Sequence, residues 1–188
     1  MNTFWSRIRL IVIGVSLVIP MALLTTVLVA AENQVTAAAV DASQQTPPPA
    51  GEYAQTFAMT IFEQDRTIRL WLVDLDTAPY FRQTVETGGS TVSDQIYRFD
   101  ERTLYTAGST AAESSTWTSI APVEPQDLAL SDLTTGPAAW AAEFGPGEQE
   151  IPVGQGTTVR VVIDSVDEPI DPTVFQVPPG ATVTPAQP

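Results

Sequence analysis

The feature that most constrains the fold of this chain is an alternation of apolar and polar side chains across residues 55–106. In residues 66–74 (RTIRLWLVD), Ile68, Leu70 and Leu72 alternate with Arg69, Trp71 and Val73, so that one face is apolar and the other mixed, and residues 80–87 alternate again. A period of two is typical of a strand with one face in a core. Turn-forming residues separate these runs at 74–79 (DLDTAP), 88–90 (GGS) and 100–102 (DER). The segment therefore predicts four or five strands joined by tight turns, which is an antiparallel meander.

The rest of the folded region contains fewer regular patterns. Residues 125–133 are compatible with one or two helical turns, and residues 136–145 predict a helix that begins near Pro137 and ends at Gly145. Residues 156–166 (GTTVRVVIDSV) predict the clearest strand, and Phe175 and Val177 predict a final extended piece. The expected fold is mainly β (β-rich α+β): an antiparallel meander forming an incomplete barrel or curved sheet with one or two short helices.

The N-terminal residues carry an export signal. Arg7 and Arg9 precede an uncharged apolar run at residues 10–31, and the first acidic residue is Glu32. A basic start followed by such a run directs export, and the charge asymmetry agrees with the positive-inside rule. The small residues at 29–31 suit cleavage as a signal peptide, whereas the length of the run suits a retained single-pass transmembrane anchor. Both readings place the rest of the chain in an extracytoplasmic location: secreted, periplasmic or at the cell surface.

Composition divides the exported part into three regions. Residues 32–52 are rich in Ala, Gln and Pro and predict a linker, because they offer little apolar surface to offset the entropy of ordering. Residues 53–178 have the length of one β-rich domain. Residues 179–188 are dominated by Pro, Thr and Ala and predict a flexible tail.

The charge and the missing residue types exclude several functions. The chain has a formal net charge of −14, with eight basic residues, all of them Arg, against 22 acidic ones. Such a surface repels nucleic acid and anionic lipid headgroups. Without Cys there is no disulfide framework. Without His, Cys and Lys the chain has no thiolate or imidazole metal ligand and no lysine base, and its many Ser and Thr hydroxyls lack a histidine to activate them. We therefore predict no enzyme, no metal site and no cofactor.

Carboxylates are the remaining chemical groups. Asp74 lies two residues from Asp76, and a second cluster spans residues 164–171. Paired carboxylates can hydrolyse glycosides or ligate calcium, but Asp is also common in turns for its local hydrogen bonds. The turn interpretation is the favoured one.

Several segments resemble the bacterial lipoprotein-carrier (LolA/LppX-like) superfamily. They are residues 70–72 (LWL), 79–82 (PYFR), 96–105 (IYRFDERTLY) and, as the better match, 171–183 (DPTVFQVPPGATV). The similarity extends over about half of the domain, and Glu101 and Arg102 stand where the family's hairpin has glycine. The resemblance implies an incomplete antiparallel barrel, closed on one side by helices, with an apolar cavity for acyl chains.

Two functions follow from these observations. The first is a non-enzymatic extracytoplasmic module that binds a lipid, a lipoprotein or another apolar ligand, as a carrier or an envelope sensor. Its expected ligand-binding residues are Phe62, Trp71, Phe81 and Phe99, lining one apolar groove. The second is a structural or adhesive cell-surface domain with a filled core and no ligand, in which the same aromatic residues are core or cross-strand pairs.

Overall fold

The computed structural model describes residues 40–42, 55–108, 116–128, 130–154 and 157–186. The predicted export segment, residues 1–31, and most of the predicted linker lie outside these ranges. No helix within them has both the length and the apolar character needed to cross a membrane.

The described residues form one sheet with a single helical region. The strands are β1 (Val40–Asp41), β2 (Thr56–Phe62), β3 (Arg66–Val73), β4 (Tyr80–Thr87), β5 (Ser90–Arg98), β6 (Thr103–Ala107), β7 (Thr116–Ile120), β8 (Gly147–Gly154), β9 (Thr157–Val166) and β10 (Thr182–Pro185). The helices are α1 (Leu130–Leu133) and α2 (Ala139–Phe144), joined by a π-helical turn (Thr134–Ala138), together with 3-10 turns at Pro125–Asp127 and Pro172–Phe175.

The strand order is β1-β10-β7-β6-β5-β4-β3-β2-β9-β8. Each pair is antiparallel except β10 with β7, which run parallel. Strands β2 to β6 follow one another in space as in sequence, so the predicted meander is confirmed. The sheet is curved but not closed, and the predicted mainly β class with an open, curved sheet is therefore confirmed.

One face of the sheet packs against residues 130–144, which we call the helical cover. Side chains alternate between the two faces of a strand. This face therefore receives the odd-numbered residues of β2 and β9 and the even-numbered residues of β3. They form a core with Leu133, Ala138 and Ala141 of the cover. The sheet contributes Phe57, Met59, Ile61, Ile68, Leu70, Leu72, Phe81, Tyr97, Leu104, Ile151, Val159, Val161 and Ile163.

The opposite face carries a second core under the C-terminal strap, which we define as residues 167–185. The strap leaves the end of β9, passes over β4 and β5, and ends as β10 beside β7. Its Phe175, Val177 and Val183 are buried against the sheet. The sheet side of this core consists of Val73, Tyr80, Ile96, Tyr105, Ala107 and Trp117. The sheet is thus a central layer with a separate cover on each face.

The helical region differs from the sequence prediction at Pro137. The helix begins at Leu130, and Pro137 lies inside it rather than at its first position. Proline has no N–H to donate to the preceding turn. The π-helical turn around Pro137 absorbs that interruption, so the helix continues to Phe144 and stops at Gly145, whose φ is +69°.

Three predictions about extended and flexible segments were wrong. Thr182–Pro185, in the predicted flexible tail, is strand β10, and Val40–Asp41, in the predicted linker, pairs with it as β1. The segment holding Phe175 is a 3-10 turn rather than a strand. Backbone pairing explains the first two: the edge of β7 offers hydrogen-bonding groups to β10, and the outer edge of β10 offers them in turn to β1.

Candidate functional site

The helix-covered face is the largest apolar surface of the described chain, and we take it as the candidate site. Ile61, Leu72 and Val161 at its centre are fully buried. Phe81 and Tyr97, on neighbouring strands, stack with ring centroids 5.8 Å apart. The antiparallel meander produces this surface because successive strands present their apolar positions to the same side.

The underside of the helical cover consists mainly of small side chains. Leu133, Pro137 and Ala141 are spaced by four residues and are all buried, as a single stripe of a helix requires. Trp140 is only half-buried, and the side chain of Phe144 is 43% exposed. Leu133 is therefore the one large side chain of the cover that is fully inserted among its described residues.

The side chain of Tyr97 carries a polar group from β5 into this core. The hydroxyl of Tyr97 donates to the Val123 carbonyl oxygen at 3.0 Å. Burial, together with the nearby charge of Glu124, raises the pKa of Tyr97 to about 12. The hydroxyl therefore stays protonated and keeps the segment before the helical cover attached to the sheet.

The four residues predicted to line a groove do not share one surface. Phe81 is buried in the core of the helix-covered face, whereas Trp71 alternates to the strap-covered face. Phe62 also lies on that outer side, with the Arg160 guanidinium 4.6 Å from its ring centroid. Phe99, in the turn after β5, contacts both cores. The structure thus places only Phe81, and the edge of Phe99, at the candidate site.

The residues that the sequence prediction missed belong to the cover. Trp140 and Phe144 lie four residues apart in α2, but Trp140 is only partly buried and Phe144 is exposed, so the most deeply buried stripe of the helix is a different one. In the sequence, the spacing of Leu133, Pro137 and Ala141 indicates the buried stripe of the helix. The prediction that the helix begins near Pro137 hides this spacing, because it leaves Leu133 outside the helix.

An ion pair lies beneath the strap on the other face of the sheet. Arg82 binds Asp94 through Nε at 3.0 Å and Nη2 at 2.6 Å, and its Nη1 donates to the Val174 carbonyl at 3.1 Å. Burial raises the pKa of Asp94, although the hydrogen bonds and charge of Arg82 oppose the shift. The pair joins the sheet to the strap, as the guanidinium of Arg can bind several acceptors at once.

A second buried guanidinium holds the β5–β6 turn. Arg98 is fully buried and pairs with Asp100 at 2.6 Å and with Glu101 at 2.9 Å. Glu101 also accepts a hydrogen bond from the Tyr105 hydroxyl. Burial and this bond raise the pKa of Tyr105. The network satisfies a charge that would otherwise be costly to bury, so its role is structural.

Asp76 and Asp171 lie at turns, as the favoured interpretation expects, whereas Asp164 lies within strand β9. Asp74 Oδ1 accepts from the Gln55 N–H, and Asp171 accepts from the N–H and hydroxyl of Thr173, which lowers the pKa of Asp171. No group of three or more acidic side chains within the described ranges is placed to hold a metal ion. A polar depression of about 270 Å³ lies between two hairpin turns. It is lined by Glu63, Gln64, Asp65, Arg66, Thr67, Glu86, Gly88 and Gly89.

Comparison with known proteins gives no relative from which a function could be transferred. No protein-family model, no curated protein and no solved structure matches this chain.

Proposed function

We propose that this protein is a non-enzymatic extracytoplasmic module that binds a lipid, a lipoprotein or another apolar ligand beneath the helical cover. The observation that carries the proposal is the pairing of a wide apolar sheet face with a cover whose underside is mostly small side chains. Apolar surface of that extent favours an apolar partner, and a cover with few anchors can move aside for one.

The energetic balance supports this exchange. Burying Leu133 contributes about 2–3 kcal/mol, and each buried methyl of Ala138 and Ala141 contributes about 0.8 kcal/mol. An acyl chain gains about 0.8 kcal/mol for each buried CH₂. About five or six methylenes would therefore offset these three side chains, and the partly buried Leu130 and Trp140 of the cover raise that number further. Common acyl chains are longer than this, so a single chain could replace the cover on the sheet.

The proposed role is that of a carrier or an envelope sensor. The predicted export of the chain places it where lipids and lipoproteins occur as ligands. The acidic composition favours recognition of the acyl part rather than of an anionic headgroup.

The test uses two neighbouring alanines of α2. Ala141 is fully buried under the cover, whereas Ala142 is exposed on the same helix. Ala141→Met adds a larger side chain between the cover and the sheet, where a ligand would have to lie, and Ala142→Met adds the same side chain on the solvent side. Native mass spectrometry and lipid extraction would be applied to the exported full chain and to both variants. We expect lipid on the wild type and on Ala142→Met, and a marked loss on Ala141→Met. Equal lipid on all three proteins would place the ligand elsewhere.

A second candidate is a structural or adhesive surface domain with a filled core. The packing of Phe81 against Tyr97 favours it, because these rings already occupy the interior that a ligand would need. The same experiment separates the two functions. A wild-type chain that carries no lipid and takes up no fluorescent fatty acid is the result that the filled-core domain requires.

A further inference from the structure

We propose that the strap-covered face is an acceptor surface for the C-terminal strap of a second copy of this chain, so that two copies associate by exchanging residues 167–185. The segment that fits this surface is visible within one copy. Exchange places an identical segment in the same groove and therefore needs no new contacts, which makes it a low-cost route to a dimer.

The contacts of the strap are those of a bound peptide. Phe175 is fully buried, with its ring centroid 5.9 Å from that of Tyr80. Val177 and Val183 are buried further along the strap. Strand β10 adds main-chain pairing to the edge of β7, with Val183 opposite Trp117. Side-chain anchors combined with strand addition are the usual means by which an extended segment is recognised at a sheet edge.

The sheet also contributes a specific polar contact to the strap. Arg82, held by Asp94, donates to the carbonyl of Val174 at 3.1 Å. The Arg82–Asp94 pair belongs to the sheet and not to the strap, so it is equally available to a strap from another copy. This contact fixes the position of the incoming segment along the groove.

The hinge between β9 and the 3-10 turn is short and exposed. Asp167, Glu168, Pro169 and Asp171 are all exposed, and Ile170 is half-buried. Pro169 biases Glu168 toward an extended conformation, and Asp167 has a φ of +53°, which a non-glycine residue adopts at a cost. Extending the hinge at Asp167 removes that cost, and it exchanges for water the hydrogen bonds that join Thr56 to the Asp167 N–H at 2.8 Å and to the Glu168 carbonyl at 2.6 Å. A short hinge that is strained when closed is the feature that promotes exchange between copies.

The final strand is also held in a way that permits release. β10 is the one strand of the described sheet that runs parallel to its inner neighbour, and parallel pairing is slightly less stable per residue than antiparallel pairing. On its outer side β10 pairs with only two residues, Val40–Asp41. The end of the strap is therefore the part of the sheet most easily replaced.

The absence of cysteine from this chain permits a direct test. Thr118 and Thr184 are register partners in β7 and β10, and adjacent strands lie about 4.8 Å apart, within the range that a disulfide can bridge. Full-length Thr118→Cys and Thr184→Cys chains would be refolded together at increasing concentration and then oxidised. Neither variant can form this bridge within its own chain, so a covalent Thr118→Cys/Thr184→Cys heterodimer reports an exchanged strap.

Two controls define the outcome. A mixture of Thr91→Cys and Thr184→Cys chains measures random cross-linking, since Thr91 is exposed and belongs to β5 rather than β7. A single chain with both Thr118→Cys and Thr184→Cys verifies that β10 seats on β7.

We expect heterodimer several-fold above the Thr91 mixture, rising with protein concentration as association requires. Heterodimer at the level of the Thr91 mixture at every concentration would overturn the proposal. Failure of the double variant to form its internal bridge would also overturn it, because the groove would then not hold β10.

Discussion

Replacing Phe175 with alanine tests whether the C-terminal strap is an integral part of the fold. The side chain is fully buried, and a buried phenylalanine removes about 150–250 Å² from water. At about 25 cal/mol per Å² this corresponds to an upper limit of about 4–6 kcal/mol. Measured Phe→Ala losses are about 3–5 kcal/mol. Because the strap is a single covering segment that can settle into the space, we expect Phe175→Ala to lower the free energy of unfolding by about 3 kcal/mol, at the low end of this range.

Urea unfolding followed by circular dichroism measures this loss. A domain of this size has a total stability of about 5–15 kcal/mol, so Phe175→Ala should remain folded, with an earlier midpoint and an unchanged slope. Val174→Ala is the matched control, because Val174 is half-buried and adjacent, and its loss should be below about 1 kcal/mol. A Phe175→Ala loss no greater than that of Val174→Ala would contradict an integral role of the strap, since the strap would then contribute little to stability.

Three further predictions concern the two covers and the buried charges. Leu133→Ala should lower the free energy of unfolding in urea by about 2–3 kcal/mol. Because Leu133 and Phe175 lie on opposite faces of the sheet, the losses from Leu133→Ala and Phe175→Ala should add to within about 0.5 kcal/mol in the double variant. A larger deviation from additivity would mean that the two covers are coupled. Burial raises the pKa of Asp94, so ionising its carboxyl lowers the free energy of unfolding at pH values above that pKa. This destabilisation is lost as the pH falls below the pKa and the carboxyl takes up a proton. Wild type should therefore gain stability relative to Asp94→Asn on acidification from neutral pH, and a difference independent of pH would contradict this account. Arg98→Met removes the guanidinium that pairs with Asp100 and Glu101 and should lower the free energy of unfolding by about 2 kcal/mol. This loss is smaller than for a fully buried ion pair, because both carboxylates are partly exposed to water. An unchanged urea midpoint would show that the pairing is dispensable.

The meander was predictable because its local signals agree with one another. The alternation in β3 and β4 and the glycine turn before β5 indicate the same strands that the structure contains. In contrast, β8 includes Gly147, Pro152 and Gly154, which are typical of loops, and it becomes a strand by lying at the edge of the sheet. Long-range pairing of this kind has no signature within the segment itself.

The site was less predictable for the same reason. Alternation assigns Trp71 and Phe81 to opposite faces of the sheet only when their strand pairing is known, since a shift of one residue reverses the faces. The strap was missed because its Pro, Thr and Ala residues have the composition of a flexible tail, although β10 and Phe175 make it part of a core. Composition describes what a segment can bury alone, and not what a neighbouring surface offers it.

Fluorescence quenching of Trp140 by a brominated fatty acid tests the proposed ligand site most directly. Trp140 lies on the helical cover, whereas Trp71 and Trp117 belong to the opposite face. Because Trp5 lies in the predicted export segment, the measurement uses full-length Trp5→Phe as the parent protein. Binding beneath the helical cover predicts saturable quenching of this parent that is largely lost when Trp140→Phe is added and retained when Trp71→Phe is added. Quenching that does not saturate, or that persists in Trp140→Phe, would contradict binding of an apolar ligand beneath the helical cover.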